Sequence, residues 1–115
     1  MNEFIIYHNT RCSKSREALE LLKDNGIKPY IFEYLKTPLN YEELKSLSSH
    51  FEFKDFVRKS EAVFKELGLS IDDKEGVLKA MVKEPKLMQR PIVYHDGKAV
   101  IGRPTNNVFK LLQWN

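Results

Sequence analysis

Two short apolar runs joined by one amphipathic helix constrain this chain more than any other feature. Phe4-Ile5-Ile6-Tyr7 is rich in β-formers and bounded by polar residues, so it reads as a buried strand. From Ser13 onward the period changes. Ala18, Leu19 and Leu22 recur at three- and four-residue spacing, with Glu17, Glu20 and Lys23 between them, which is a one-sided helix. Gly26 after Asn25 supplies the left-handed stop. Pro29-Tyr30-Ile31-Phe32-Glu33-Tyr34 reads as a second strand, with Pro29 at its first position, where no ladder N–H is lost. Two strands joined through one helix in about 30 residues form a β-α-β unit, so they run parallel.

The middle of the chain is helical. Asn40 can cap a helix from Tyr41 to His50, with Glu43 at the third position of a capping box. Lys54 to Arg58 and Glu61 to Leu67 read as shorter helices, the second capped by Ser60 and stopped by Gly68. Asp72 can cap a further segment running to about Val82 and ended by Pro85. Strands then return. Ile92-Val93-Tyr94-His95 and Lys98-Ala99-Val100-Ile101 flank Asp96-Gly97, a pair suited to a two-residue type I′ turn. A last helix starts at about Pro104 and runs to Leu112. The order βαβ, helical block, ββα predicts an α/β mixed sheet flanked by helices. A single domain over residues 1–115 is expected, with a helical insertion at about 40–84.

Composition narrows the function. With 42% hydrophobic and 30% charged residues, the chain has the balance of a globular protein rather than a disordered one. Its apolar runs fall far short of the roughly 20 residues a membrane span needs. Met1-Asn2-Glu3-Phe4 lacks the basic and apolar pattern of a secretory signal, so a cytoplasmic location is expected. The net charge of +3 is mild and the lysines are scattered, which argues against nucleic acid as a partner. Among 19 cations only Arg11, Arg16, Arg58, Arg90 and Arg103 are arginines. Arginine is the better bidentate ligand for an oxyanion, so each of these bears on function.

Cys12 is the only cysteine. It can make no internal disulfide and no cysteine-pair zinc site. It stands where a strand ends and a helix begins, facing unpaired N–H groups and the positive end of the helix dipole. Both favour a thiolate, and such sites lower a cysteine pKa from about 8.5 to roughly 3.5–7.5. Arg11 and Arg16 lie within one helical turn, and His8 at the strand end can act as a cation or orient the loop. The alternative is a small buried thiol without chemistry. Cys12-Ser13-Lys14-Ser15 ends in serine, so a Cys-x-x-Cys redox pair is absent and an intermediate on Cys12 needs an outside thiol for release. A phosphatase loop would carry arginine where Ala18 stands.

Four separated motifs occur in order: His8-Asn9-x-x-Cys12-x-x-Ser15-Arg16, Val57-Arg58, Arg90-Pro91-Ile92-Val93 and Arg103-Pro104. Together they resemble the glutathione/glutaredoxin-dependent arsenate reductase (ArsC-like) family over essentially the whole chain. The resemblance implies a thioredoxin-like fold with a helical insertion. It implies that Cys12 attacks arsenic while Arg58, Arg90 and Arg103 bind the oxyanion. His8 matches a histidine that helps depress the cysteine pKa, and Ser15 matches a serine that hydrogen-bonds the thiolate. Arg16 stands near the site. Pro91 matches a cis-proline opposite the cysteine. The implied substrate is arsenate or a similar oxyanion, with no bound cofactor or metal. Glutathione as the external reductant, a glutaredoxin-like protein as partner and a monomeric chain are likewise expected.

Two competing functions remain at this stage. A relative of this kind could be a glutathione-dependent thiol reductase that does not use arsenate. Spx-like RNA polymerase-binding regulators share the fold, but they carry the Cys-x-x-Cys that Ser15 breaks here. His50 and His95 read as surface or hairpin residues, and Phe51, Phe53, Phe56 and Phe64 as core rather than a binding platform. Trp114 either covers an apolar edge or is exposed.

Overall fold

The structure, a computed structural model, describes residues 3–112. Trp114 lies outside the described residues. The chain forms two compact units, one from Met1–Tyr34 with Arg90–Asn115 and the other from Leu35–Gln89. The helical stretch expected at about 40–84 falls within the second.

The first unit carries strands β1 (Phe4–Tyr7), β2 (Tyr30–Phe32), β3 (Ile92–His95) and β4 (Lys98–Ile101), with helix α1 (Ser13–Asp24) between β1 and β2. The sheet order is β2-β1-β3-β4. β1 and β2 are parallel, with Ile6 opposite Ile31, as a helical crossover requires. β1 with β3 and β3 with β4 are antiparallel. A βαβ half and a ββ hairpin sharing this order make the fold thioredoxin-like. Asp96 (φ 52°) and Gly97 (φ 79°) are both left-handed, which is the type I′ turn their sequence favours. At the end of α1, Gly26 (φ 76°) lets its own N–H reach the Lys23 carbonyl and the Ile27 N–H reach that of Leu22, a Schellman closure. Ile6, Ala18, Leu22, Val93, Val108 and Leu111 form the buried core that locks α1 onto the sheet. Each large aliphatic side chain buried there contributes about 1.5–3 kcal/mol.

The chain closes this unit with a 3-10 helix at Thr105–Leu111 rather than an α-helix. Asn106, Asn107 and β-branched Val108 are poor α-formers. The Asn107 amide also donates to the carbonyls of Ile101 and Arg103, both at 3.0 Å, which holds it against the end of β4. His95 is buried and stacked face to face on Phe4 at 3.7 Å, so it is a hairpin residue but not a surface one.

The second unit holds α2 (Tyr41–Ser48), α3 (Phe53–Phe56), α4 (Ala62–Glu66), α5 (Lys74–Lys83) and a 3-10 turn at Pro85–Leu87. Asn40 and Glu43 form the expected capping box. The remaining boundaries shift for local reasons. The first short helix ends at Phe56, because Val57 turns extended and pairs with Met88. The Arg58 N–H then donates to the Leu87 carbonyl and the Gln89 N–H to that of Phe56. α4 begins after Glu61 and not after Ser60, and Glu61 turns its carboxylate toward Arg58 at 3.3 Å. α5 is capped by Asp73, which accepts from the Gly76 N–H at 3.0 Å. Asp72 does not cap it: Ser70 holds the Asp72 and Asp73 N–H groups in a turn, moving the helix start one residue on. Phe56 is fully buried, with Phe51 stacked on it and Phe53 beside it, both half-buried, as is Phe64. His50 is exposed.

Candidate functional site

The loop after β1 is built to present one sulfur. The His8 N–H donates to the Phe32 carbonyl at 2.9 Å, extending the β1–β2 pairing by one step. Asn9 then reverses the chain. Its side-chain oxygen accepts from the Arg11 N–H at 2.9 Å, an Asx turn, and its carbonyl accepts from the Cys12 N–H at 3.0 Å. The Cys12 carbonyl takes the Arg16 N–H, so Cys12 is the residue that caps α1. No side-chain oxygen caps this helix and no acidic residue lies in its first turn. The sulfur stands where a capping oxygen would, and the residue is 7% exposed.

Burial alone would push the Cys12 thiol up. The backbone N–H of Ser15, the Arg90 guanidinium and the backbone N–H of Lys14 outweigh it and hold the pKa below the ordinary cysteine value. Arg103 adds a second guanidinium, with Nη2 3.5 Å from the sulfur and Nε donating to the Arg90 carbonyl at 2.6 Å. The Arg90–Pro91 and Arg103–Pro104 peptide bonds are both cis. Residues 91 positions apart in sequence thus meet at one thiolate.

Ser15 and His8 are both buried. His8 Nδ1 lies 2.6 Å from Ser15 Oγ, and Ser15 Oγ also accepts from the Asn9 N–H at 3.0 Å. Ser15 therefore meets the sulfur through its backbone N–H, while its hydroxyl ties the loop to His8. Burial lowers the His8 pKa, opposed by Glu33 and aided by Arg16 and Lys23, so the neutral imidazole is favoured. A neutral ring can accept the Ser15 hydroxyl proton. Arg16 donates to the Thr10 carbonyl at 2.9 Å and fastens the loop from outside; Arg11 is exposed.

Arg58 lies in the second unit. There its Nε donates to Glu61 at 3.3 Å and its Nη1 to the Gln89 side-chain oxygen at 3.1 Å. Asn107 carries no motif in the sequence, yet it holds the backbone from which Arg103 projects. The one signal for it is an amide in a segment with weak helical propensity. Among the described residues no group of three His, Cys, Asp or Glu could hold a metal ion, and no helix is long and apolar enough to cross a membrane.

The geometry predicts a thiol that ionises more readily than an ordinary cysteine. The rate of Cys12 alkylation by iodoacetamide should rise with pH through a midpoint below that of an ordinary cysteine, because only the ionised sulfur reacts. A midpoint at or above that value would mean that burial dominates over the N–H groups and Arg90.

The chain is similar to known proteins. The model of the ArsC family matches residues 7–111. The arsenate reductase of Neisseria meningitidis serogroup A is 40% identical over 117 residues, covering 97% of this chain and 100% of the relative. The uncharacterized protein YfgD of Escherichia coli K12 is 45% identical over 112 residues, covering 93% of this chain and 94% of the relative. The solved structure of the arsenate reductase from Vibrio cholerae is 41% identical and superposes with a TM-score of 0.86, covering 94% of this chain and 96% of that one. With the family pattern spanning nearly all of the sheet, the loop and the arginines, the chain belongs to the ArsC family.

Proposed function

We propose that this protein is an arsenate reductase in which Cys12 is the nucleophile and glutathione the electron donor. The single observation that carries the reading is a lowered-pKa sulfur at the head of α1 flanked by Arg90 and Arg103. Arsenate is a tetrahedral oxyanion, and fixed guanidinium forks are suited to bind it and offset charge as sulfur attacks. The family relatives named arsenate reductase support the substrate class. Arg58 joins the oxyanion set on the strength of the resemblance.

The Cys12 thiolate attacks arsenic(V), a hydroxide leaves and takes a proton to depart as water, and a sulfur–arsenic bond forms. The glutathione thiolate then attacks the Cys12 sulfur, the sulfur–arsenic bond breaks, and its electron pair stays on arsenic, converting arsenic(V) to arsenic(III). Arsenite leaves, and Cys12 is left in a mixed disulfide with glutathione. Ser15 stands where a resolving cysteine would, so a glutaredoxin-like protein clears that disulfide. His8 and Ser15 hold the loop in the attacking geometry.

Arsenite formation from arsenate tests this directly, measured with glutathione and glutaredoxin both present, each omitted in turn, and with protein whose Cys12 has been alkylated beforehand. Turnover should need both thiol components and vanish on alkylation. Reduction of a glutathione mixed disulfide with no arsenite formed would overturn the arsenate assignment.

A further inference from the structure

Arg103 reaches the sulfur from a backbone that is pinned on both sides. The Gly102 N–H donates to the Pro91 carbonyl at 2.9 Å. The packing there is close: a Cβ at Gly102 would meet Pro91 Cγ at 3.0 Å. On the other side the Asn107 amide spends both of its hydrogens, one on the Ile101 carbonyl and one on the Arg103 carbonyl, each at 3.0 Å. Its own N–H returns to the Pro104 carbonyl at 3.0 Å, closing the turn.

An amide nitrogen is matched to this task. It offers two donors in a fixed plane, and a hydroxyl or carboxylate cannot satisfy both carbonyls. The consequence lies at the far end of the Arg103 side chain. That long side chain loses rotamer freedom when held, and a backbone free to shift would spread the guanidinium over several positions. With the backbone held, Nε meets the Arg90 carbonyl and Nη2 meets Cys12 Sγ.

We propose that Asn107 is a positioning residue: its amide clamps the Ile101 and Arg103 carbonyls and thereby fixes the Arg103 guanidinium at the Cys12 sulfur, where the oxyanion binds. The inference deepens the oxyanion reading of Arg103 and rests on it. Its test needs no arsenate, so the two can fail separately.

The probe is charge selectivity at Cys12, read as the rate of alkylation by anionic iodoacetate divided by that for neutral iodoacetamide, at a pH where the thiol is fully ionised. A guanidinium held beside the sulfur raises this ratio; a loss of stability alone leaves it unchanged. Arg103→Ala should lower the ratio by about three- to tenfold, the size of one net hydrogen bond. Asn107→Ala should lower it by a similar factor, and the double variant should fall no further than Arg103→Ala alone. A wild-type ratio in Asn107→Ala would overturn the proposal, as would a further drop in the double variant. Should Asn107→Ala fail to fold, the same cycle with Asn107→Ser, which keeps one donor, decides it by the same criteria. If the ratios behave as expected while no arsenite is ever formed, the clamp stands and the arsenate reading falls.

Discussion

Cys12→Ser should abolish arsenate reduction, with arsenite formation falling by about 10⁴-fold or more. A serine hydroxyl at this position is a weak nucleophile at neutral pH, and no side chain beside it is placed as a strong base. His8, the nearest imidazole in sequence, is turned to Ser15. The loss cannot be ascribed to misfolding, because serine is a preferred N-cap and Cys12 occupies the N-cap of α1. Circular dichroism and the thermal midpoint should therefore show a folded protein beside a dead enzyme. Substantial arsenite formation by this variant would place the chemistry elsewhere.

Arg90→Ala is expected to have the next largest effect, on two separable measurements. Arg90 holds the Cys12 pKa down through both a hydrogen bond and its charge. Its removal leaves burial opposed by the N–H groups of Ser15 and Lys14 and by the more distant Arg103, so the alkylation midpoint moves up in pH. A charge-assisted hydrogen bond contributes about 1.5–3 kcal/mol, so at pH 7 alkylation should slow by roughly tenfold or more and approach the wild-type rate at high pH. The kcat/KM for arsenate should fall further, by about 10²–10³-fold, because the same fork is lost to the oxyanion and its developing charge. Arg90→Lys should restore part of the pH shift and less of the arsenate activity, since a point charge replaces a planar fork. An unmoved midpoint in Arg90→Ala would assign the lowered pKa to the helix terminus and Arg103.

The sequence reveals the parts of this molecule governed by local rules. β1, α1, the Gly26 stop and the Asp96-Gly97 turn follow from periodicity and from φ preferences that few residues satisfy. Cys12 at a strand-to-helix junction is visible for the same reason. Where two neighbouring residues could do one job, contacts outside the local pattern decide. Asp73 caps α5 because Ser70 engages the N–H groups before it, and Val57 leaves its helix to pair with Met88. The cation acting on the sulfur is likewise not legible locally. Arg11 and Arg16 are the neighbours in sequence, but Arg90 and Arg103 arrive through the sheet order. His8 has the appearance of a cationic partner until burial and the Ser15 contact show an environment favouring the neutral ring. Asn107 leaves no trace beyond an amide in a weakly helical segment, because its partners are backbone carbonyls that any residue would present.

The sulfur that crowns α1 also ties the chemical state of the protein to its endurance. Whatever free energy the folded chain contributes toward ionising Cys12, the ionised sulfur returns to the folded chain. With its pKa lowered on folding, Cys12 adds to stability above the ordinary thiol pKa, and the gain drains away as pH falls through the lowered value. A neutral cap on the sulfur cancels the same gain at any pH. Protein alkylated at Cys12 with a neutral group is thus expected to be less firmly folded at high pH than protein whose sulfur is free and ionised.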